Sequence, residues 1–424
     1  MELNQIKKYI FKNIYTGLFK TSLTLLMAGV TIPIIIKNIG IGNYGIISIV
    51  LVFSSLTGVL DLGLSRSLIL LKGDSKEISK EISAIYIINL FLVIIILFFG
   101  IAIFIFNINL LGSHLDVKSG MLRWLNFLSI IILALGVFNN LLRSSLEANF
   151  KLHLINWGYL IQSAIINMGW LLLAILKVNI ILFLFVPIAS SLLTIIYHLL
   201  FLPHIYNTIR KPDKASFKNV FGTTLQFFKV GALNSIHLPL IKYIIIFFIG
   251  NASVIGIFEL STKLAGMANV ALAYISSPFF SIVSKYQENN YDYLWKLIKK
   301  VTEFLTLASV AGYLIFIILN KYIILYFFKE YSTEIFQVFN LVLIGNLFIA
   351  SSESIQKFLL GSGKIKLIAK IKFVGIITNC IILFLLFSLH IFNLTSIALS
   401  YSISLVFIGF YWLMLSLKKS NHTI

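Results

Sequence analysis

At 424 residues the chain is long enough for two or three soluble domains, but its composition excludes them. Hydrophobic residues make up 59% of the sequence and charged residues only 12%, about half the charged fraction of an average globular protein. The mean hydropathy of +0.98 requires helices that are apolar on every side, which a lipid bilayer accommodates. A soluble enzyme, a disordered segment and a fibrous protein are therefore excluded.

Twelve apolar stretches are each long enough to cross a bilayer as a helix, which takes roughly 20 residues. They lie near 15–36, 43–71, 82–106, 121–146, 153–176, 178–202, 223–250, 253–283, 295–319, 332–361, 366–389 and 394–417. We therefore predict an all-α polytopic membrane protein with twelve transmembrane helices.

The net charge of +19 follows from the position of the basic residues relative to these stretches. Most lysines and arginines fall in alternate gaps, whereas the intervening gaps hold only Lys37, Lys118, Lys177, Lys321 and Lys329. Basic loops stay in the cytoplasm, so the alternation predicts an even number of spans with both termini cytoplasmic. It also accounts for most of the net charge without a nucleic-acid partner.

The longest gap, 203–222, divides the chain near its middle. We predict an N-terminal six-helix lobe at 1–206, a cytoplasmic linker at 207–222 and a C-terminal six-helix lobe at 223–424. Two short matches indicate a duplication: Ile34–Gly40 matches Ile244–Gly250, and Leu146–Lys151 matches Leu359–Lys364. Both matches are offset by about 210 residues, and because six spans is an even number the two halves share one orientation in the membrane.

Motifs for catalysis are missing from the sequence. The segment Gly361-Ser362-Gly363-Lys364 approaches a nucleotide-binding loop, but Phe358 and Ile365 occupy positions that need glycine and Ser or Thr. The histidines are scattered without metal-binding spacing, and the single cysteine, Cys380, has no partner for an internal disulfide. We expect no enzymatic activity, no metal and no cofactor, with H⁺ or Na⁺ as the candidate coupling ion.

Charged residues within the apolar spans are the strongest candidates for function, because each costs several kcal/mol at the bilayer centre unless it meets a partner or a wet cavity. We predict three cationic contacts for a substrate, Arg66, Lys242 and Lys263, and two residues for ion coupling or interhelical pairing, Asp61 and Glu259. The alternative for Glu259 and Lys263, four residues apart, is mutual neutralisation. The alternative for Asp61 is a helix-packing ion pair, and the alternative for Lys242 is an interhelical salt bridge. The alternative for Arg66 is a side chain that reaches the cytoplasm.

Two further charged pairs, Arg143 with Glu147 and Glu353 with Lys357, we interpret as solvated helix ends. The in-span charges as a whole favour cations. A cavity of that sign suits an anionic ligand such as a phosphate or diphosphate group.

Segments Ile39-Gly40, Tyr44-Gly45 and Leu60-Asp61-Leu62-Gly63-Leu64 resemble the first-to-second-span signature of bacterial polysaccharide flippases. These form the polysaccharide transport family of the multidrug/oligosaccharidyl-lipid/polysaccharide exporter superfamily. The resemblance covers essentially the whole chain. Of the five candidate site residues, only Asp61 and Arg66 lie in or beside the matching signature.

The resemblance implies two lobes around a central cavity that opens alternately to each side of the bacterial inner membrane. It implies transport of undecaprenyl-diphosphate-linked oligosaccharide units for O-antigen, lipopolysaccharide or capsule, with the lipid bilayer and the polysaccharide polymerase machinery as partners. Two alternatives stay open. A cation-coupled drug exporter of the same superfamily is expected to have a more apolar cavity with acidic ion sites. A membrane-embedded polysaccharide polymerase or ligase is expected to carry a large outer loop, whereas the longest outer gap here is about 107–120.

Overall fold

The computed structural model describes residues 3–71, 76–108, 119–202, 210–328 and 332–417. Within these ranges the chain is helical and contains no strand, which confirms the all-α fold class. The helices are α1 (Leu3–Ile39), α2 (Ile41–Ser55), α3 (Thr57–Leu60), α4 (Leu64–Leu70), α5 (Lys76–Phe106), α6 (Ser119–Ala148), α7 (Leu152–Ile175), a 3₁₀ helix (Ile180–Leu184), α8 (Phe185–Leu200), α9 (Lys214–Ile249), α10 (Ala252–Phe327), α11 (Ser332–Gly361), α12 (Ile365–Ser388) and α13 (Leu394–Leu417).

Eleven segments of the described chain are long and apolar enough to cross a membrane. Large apolar side chains stay exposed along them, for example Phe98 at 74% and Phe384 at 69%, as expected for surfaces that face lipid. The predicted spans correspond to these segments with two exceptions. Predicted span 43–71 corresponds only to Ile41–Leu60. The predicted spans 253–283 and 295–319 both fall within the 76-residue α10, of which only Tyr291–Tyr326 is counted as a separate span.

Helix α10 nevertheless reverses direction. The hydroxyl of Tyr313 donates to Oδ1 of Asn269 across 2.7 Å, although the two residues are 44 positions apart. In a straight helix that separation would place them ~66 Å apart, at about 1.5 Å per residue. The two parts of α10 therefore form a helical hairpin, and 253–283 and 295–319 are separate passes as the sequence predicts.

Contacts with α11 give the direction of each pass. Ser261 donates to the carbonyl of Ile335, and Asn269, farther along, donates to Asn346, so the first pass runs parallel to α11. On the second pass, Asn320 donates to Asn340, whereas the earlier Thr302 lies 2.7 Å from Ser354. The second pass therefore runs antiparallel to α11.

The predicted duplication is visible in the backbone. Gly40 and Gly250 have φ values of +79° and +68°, and they follow the last residues of α1 and α9. Glycine adopts this left-handed conformation without the penalty that a Cβ imposes. The first sequence match therefore marks the same helix end in each half.

The second match marks the same tight turn between two consecutive helices in each half, which we call an elbow. Between α6 and α7 the N–H of Lys151 donates to the carbonyl of Leu146 at 2.8 Å, and between α11 and α12 the N–H of Lys364 donates to that of Leu359 at 2.9 Å. A hydrogen bond from a backbone N–H to the carbonyl five residues earlier is the 6→1 bond of a Schellman motif.

A third pair of elbows, at Leu173–Val178 and Leu386–Ile391, repeats the same bond. The sequence does not reveal this pair, because the two segments have different residues but the same backbone hydrogen bond.

The chain forms two compact units, Met1–Ser22 with Gly256–Ile424 (unit 1) and Leu23–Ile255 (unit 2). Part of the core of unit 2 is built from Leu64, Leu68, Ala84, Ile85, Leu141 and Val220. The lobe boundaries at 206 and 223 and the central cavity stay predictions.

Candidate functional site

Predicted span two is not one continuous helix. It is divided into α2, α3 and α4, with a turn at 61–63 in which Leu62 and Gly63 have φ values of +50° and +83°. A Cβ on Gly63 would lie 2.6 Å from the carbonyl oxygen of Thr224 and 2.8 Å from the backbone nitrogen of Phe228, both on α9. Only glycine allows the turn and the close approach together.

Asp61 lies at this break and holds the start of α4. Its side chain is buried, Oδ1 accepts the hydroxyl of Ser65 at 2.7 Å, and Oδ2 accepts the backbone N–H of Ser65 at 3.2 Å. A carboxylate at this position satisfies a helix N–H that would otherwise have no acceptor. The contacts of Asp61 are those of a helix cap, and its proposed part in ion coupling stays a prediction.

Arg66 follows Asp61 beyond the break, in α4. Asp61 and Arg66 therefore do not lie on one continuous helix. The positive charge of Arg66 still acts on the Asp61 carboxylate. The structure thus places these two predicted site residues on the two sides of a broken span.

Lys242 lies three residues after Pro239 inside α9. Its side chain is only 6% exposed, and Nζ donates to Oγ of Ser48 on α2 at 3.3 Å. A cation at such a position is costly in a membrane and is usually retained for function. The structure places this predicted residue inside unit 2, between α2 and α9.

Glu259 and Lys263 lie one turn apart on the first pass of α10, in unit 1. Both side chains are partly buried, and their charges interact. This arrangement fits the mutual neutralisation that the four-residue spacing allows. Whether either residue also contacts a substrate stays a prediction.

Sequence reasoning missed a polar cluster within unit 2, formed by Asn139 and Arg143 of α6, Tyr159 and Gln162 of α7, and Ser191 and His198 of α8. We call it the α6–α8 polar cluster. Nη2 of Arg143 donates to Oε1 of Gln162 at 2.6 Å, and its guanidinium lies 3.9 Å from the centre of the Tyr159 ring. Its Nε is buried with no acceptor among the described residues. Arg143 is therefore an interior residue and not a solvated helix end.

His198 completes this cluster. It is fully buried, and its Nδ1 lies 2.8 Å from Oδ1 of Asn139. Its Nε2 has no partner among the described residues, and it packs so closely on Gly158 that a Cβ there would lie 2.5 Å away. Buried polar atoms without partners are rare and need an explanation.

One signal in the sequence could have revealed this cluster. Ser190, Thr194 and His198 recur every four residues along the otherwise apolar α8, with Ser191 beside them, and all four are buried. That spacing places them on one face of a helix. A polar face on a membrane helix indicates contact with other helices or with water.

No protein-family model and no curated protein matches the sequence. Solved structures match over almost the whole chain. The inward-facing form of a multidrug resistance MATE family transporter of the MOP superfamily has a TM-score of 0.68 and 13% identity, with 98% of this chain and 94% of that chain covered. The outward-facing form of such a transporter has a TM-score of 0.70 and 12% identity, with 97% and 95% covered.

A third structure is a MOP superfamily transporter from Pyrococcus furiosus, described as having a binding pocket of reverse polarity that suggests a different function. Its TM-score is 0.68 at 12% identity, with 97% of this chain and 95% of that chain covered. Likeness at this level of identity establishes architecture and leaves activity open. The chain has the two-lobed, all-helical fold of the MATE transporters of the MOP superfamily.

Proposed function

We propose that the chain is a membrane transporter that works by alternating access. The observation that supports this most directly is its fold, shared over 97–98% of its length with transporters solved in inward-facing and outward-facing forms. A polymerase or ligase would need catalytic groups on a large outer loop. The similarity to transporters favours transport over that alternative.

For the substrate, we propose undecaprenyl-diphosphate-linked oligosaccharide units, moved across the bacterial inner membrane with both termini of the protein in the cytoplasm. The supporting observation is the buried cation Lys242, joined in unit 2 by the partly buried Arg143 and Arg66. Guanidinium and ammonium groups in a low-dielectric interior bind phosphate oxygens through charge-assisted hydrogen bonds. The polysaccharide polymerase machinery would then use the product.

Three acidic residues of the described helices lie beside hydrogen-bond donors or cations. Asp61 caps α4 through Ser65, Glu259 interacts with Lys263, and Glu353 lies 3.3 Å from Nζ of Lys357. A cation-coupled drug exporter is expected to use acidic groups as ion sites. This distribution supports the flippase over the drug exporter.

The second candidate, a cation-coupled drug exporter, receives more direct support from the structural comparisons. Two of the similar structures are described as multidrug resistance transporters. In that case Asp61 or Glu259 would bind the coupling ion, H⁺ or Na⁺. The Pyrococcus furiosus transporter, with its pocket of reverse polarity, supports the view that this fold accommodates pockets of opposite sign.

A deletion strain distinguishes these functions. For a flippase we expect complete lipid-linked repeat units to accumulate on the cytoplasmic face, with loss of surface polymer and unchanged drug susceptibility. Increased drug susceptibility with normal polymer would establish the exporter instead. Repeat units that reach the outer face without being polymerised would indicate the polymerase.

Complementation with variants tests the site itself. Lys242→Gln should fail to restore polymer at a normal protein level, because it removes the buried cation. Lys37→Gln, at an exposed position at the end of α1, is the matched control and should restore it. Equal restoration by both variants would contradict a substrate contact for Lys242.

A further inference from the structure

A group of aromatic and lysine side chains lies at one end of unit 1, where the second pass of α10 begins and α11 meets α12. We call it the lysine–aromatic cluster; its members are Tyr291, Trp295, Lys299, Phe358 and Lys364. The Phe358 ring packs 5.0 Å from that of Trp295 and 5.4 Å from that of Tyr291. Nζ of Lys299 lies 5.7 Å from the Trp295 ring centre, and Nζ of Lys364 lies 5.9 Å from the Tyr291 ring centre.

Lys364 occupies an electrostatically unfavourable position. It is the residue immediately before α12, where no side chain caps the helix, so its charge lies at the positive end of the helix dipole. The side chain is also partly buried, and this burial lowers the pKa of Lys364. A bound anion would stabilise the charged lysine and the free N–H groups of the first helical turn together.

The duplicated elbow in unit 2 supplies an internal comparison. Lys151 holds the same place in its Schellman motif and also precedes a helix without a side-chain cap. Its Nζ donates to the carbonyl of Phe201 at the end of α8, at 3.2 Å. Lys364 makes no hydrogen bond through Nζ within the described part of the chain. Lys151 therefore has an acceptor within the protein, whereas the ammonium group of Lys364 is available to a ligand.

A second observation in the cluster also indicates a missing acceptor. The side chain of Trp295 is only 3% exposed, and its indole N–H has no acceptor in the described ranges. A buried donor without an acceptor costs free energy that a ligand oxygen would recover.

The surroundings of the cluster are strongly basic. Exposed lysines flank it at positions 296, 300, 366 and 370. Among the nearby carboxylates of the described side chains, Glu353 is paired with Lys357 at 3.3 Å, and Asp292 and Glu303 are exposed. The surplus of positive charge matches the negative surface potential of a cytoplasmic leaflet.

We propose that the lysine–aromatic cluster binds the phosphate group of an anionic phospholipid from the cytoplasmic leaflet. Lys364 and Lys299 contact the phosphate oxygens, and the first turn of α12 contributes backbone N–H groups. Tyr291, which is partly exposed, then lies at headgroup level, where amphipathic rings are enriched in membrane proteins. The proposal uses the membrane orientation predicted from the lysines and does not depend on which substrate is transported.

The test is native mass spectrometry of the delipidated full-length protein, titrated with phosphatidylglycerol and, separately, with phosphatidylethanolamine. We expect a preference for phosphatidylglycerol that Lys364→Gln weakens roughly tenfold, the loss expected for one charge-assisted hydrogen bond. Lys151→Gln, which changes the duplicated elbow, should leave binding within about twofold, since that lysine already has a partner. Lys364→Arg should retain the preference.

Three outcomes would overturn the proposal. These are equal binding of the two lipids, equal losses in Lys364→Gln and Lys151→Gln, and displacement of the lipid by millimolar inorganic phosphate, which would indicate a site for a free anion. Circular dichroism and size-exclusion chromatography monitor folding. If Lys364→Gln does not fold, Lys299→Gln and Tyr291→Leu test the same site, and normal phosphatidylglycerol binding in both would refute it.

Discussion

The break in span two gives the sharpest test of the structure, through the substitution Gly63→Ala. Gly63 has a φ of +83°, and a Cβ there would lie 2.6 Å from the carbonyl oxygen of Thr224 and 2.8 Å from the nitrogen of Phe228. Both are backbone atoms of α9, so no side chain can rotate away. Alanine must therefore distort the turn or push the break away from α9.

The expected loss of stability has two parts. A left-handed conformation costs an L-residue roughly 1–2 kcal/mol, and overpacking a close contact costs about 1–3 kcal/mol. Gly63→Ala should therefore destabilise the protein by about 2–5 kcal/mol. It should also reduce transport, because the same turn holds the Asp61 cap and places Arg66.

Two other glycines separate these contributions. Gly363 has a φ of +73°, but a Cβ there would meet no other atom within 4 Å, so Gly363→Ala should lose only about 1–2 kcal/mol. Gly222 is in α9 with an ordinary φ and open space around it. Gly222→Ala should therefore be neutral or stabilise the helix by about 0.5–1 kcal/mol.

Unfolding of the purified variants in mixed micelles, followed by circular dichroism, provides the measurement. The expected order of stability is Gly222→Ala, wild type, Gly363→Ala and then Gly63→Ala. Equal losses in Gly63→Ala and Gly363→Ala would show that the collision with α9 is absent. The packing of the broken span on α9 would then be wrong.

Three predictions concern the charged residues of unit 2. Lys242→Ala should abolish transport while membrane insertion stays normal, and surface polymer in a complemented deletion strain measures this; normal polymer would remove Lys242 from the substrate path. Asp61→Asn keeps an acceptor for Ser65 and should lower the free energy of unfolding by at most about 1 kcal/mol. If transport by this variant still depends on an ion gradient, Asp61 is a helix cap and not a coupling residue. Arg143→Lys should lower transport at least tenfold, because lysine reproduces neither the planar donor fork toward Gln162 nor the stacking of the guanidinium on the Tyr159 ring. Unchanged transport at equal protein level would show that the α6–α8 polar cluster is purely structural.

Hydropathy alone predicts most of the fold, because a bilayer selects for long apolar helices with basic gaps. The basic gap around 285–300 correctly divides 253–283 from 295–319, and the bond between Tyr313 and Asn269 confirms the reversal. The helical course of the connection was not predictable, since a polar, basic stretch suits a helix and a loop equally. Apolar length determines the number of passes and not the form of the links between them.

The break at 61–63 lay beyond sequence reasoning for a different reason. Leu60-Asp61-Leu62-Gly63-Leu64 is apolar enough to continue a helix, and an isolated glycine is tolerated inside one. The left-handed turn forms here because α9, far along the chain, packs against Gly63. Contacts of this kind are tertiary, so a local pattern cannot contain them.

The same limit explains why Arg143 was misread, and it bears on function. The four-residue spacing to Glu147 suggested a surface ion pair, in which opposite charges cancel. In the structure its partners within the described chain come from α7, a neutral amide and an aromatic ring. These hold the guanidinium in place without neutralising its charge, its Nε has no acceptor among the described residues, and partial burial leaves that charge poorly screened. A cation held in this way attracts an anion more strongly than a paired surface arginine does. Interhelical packing therefore supplies the positive interior that the proposed diphosphate-linked substrate would require.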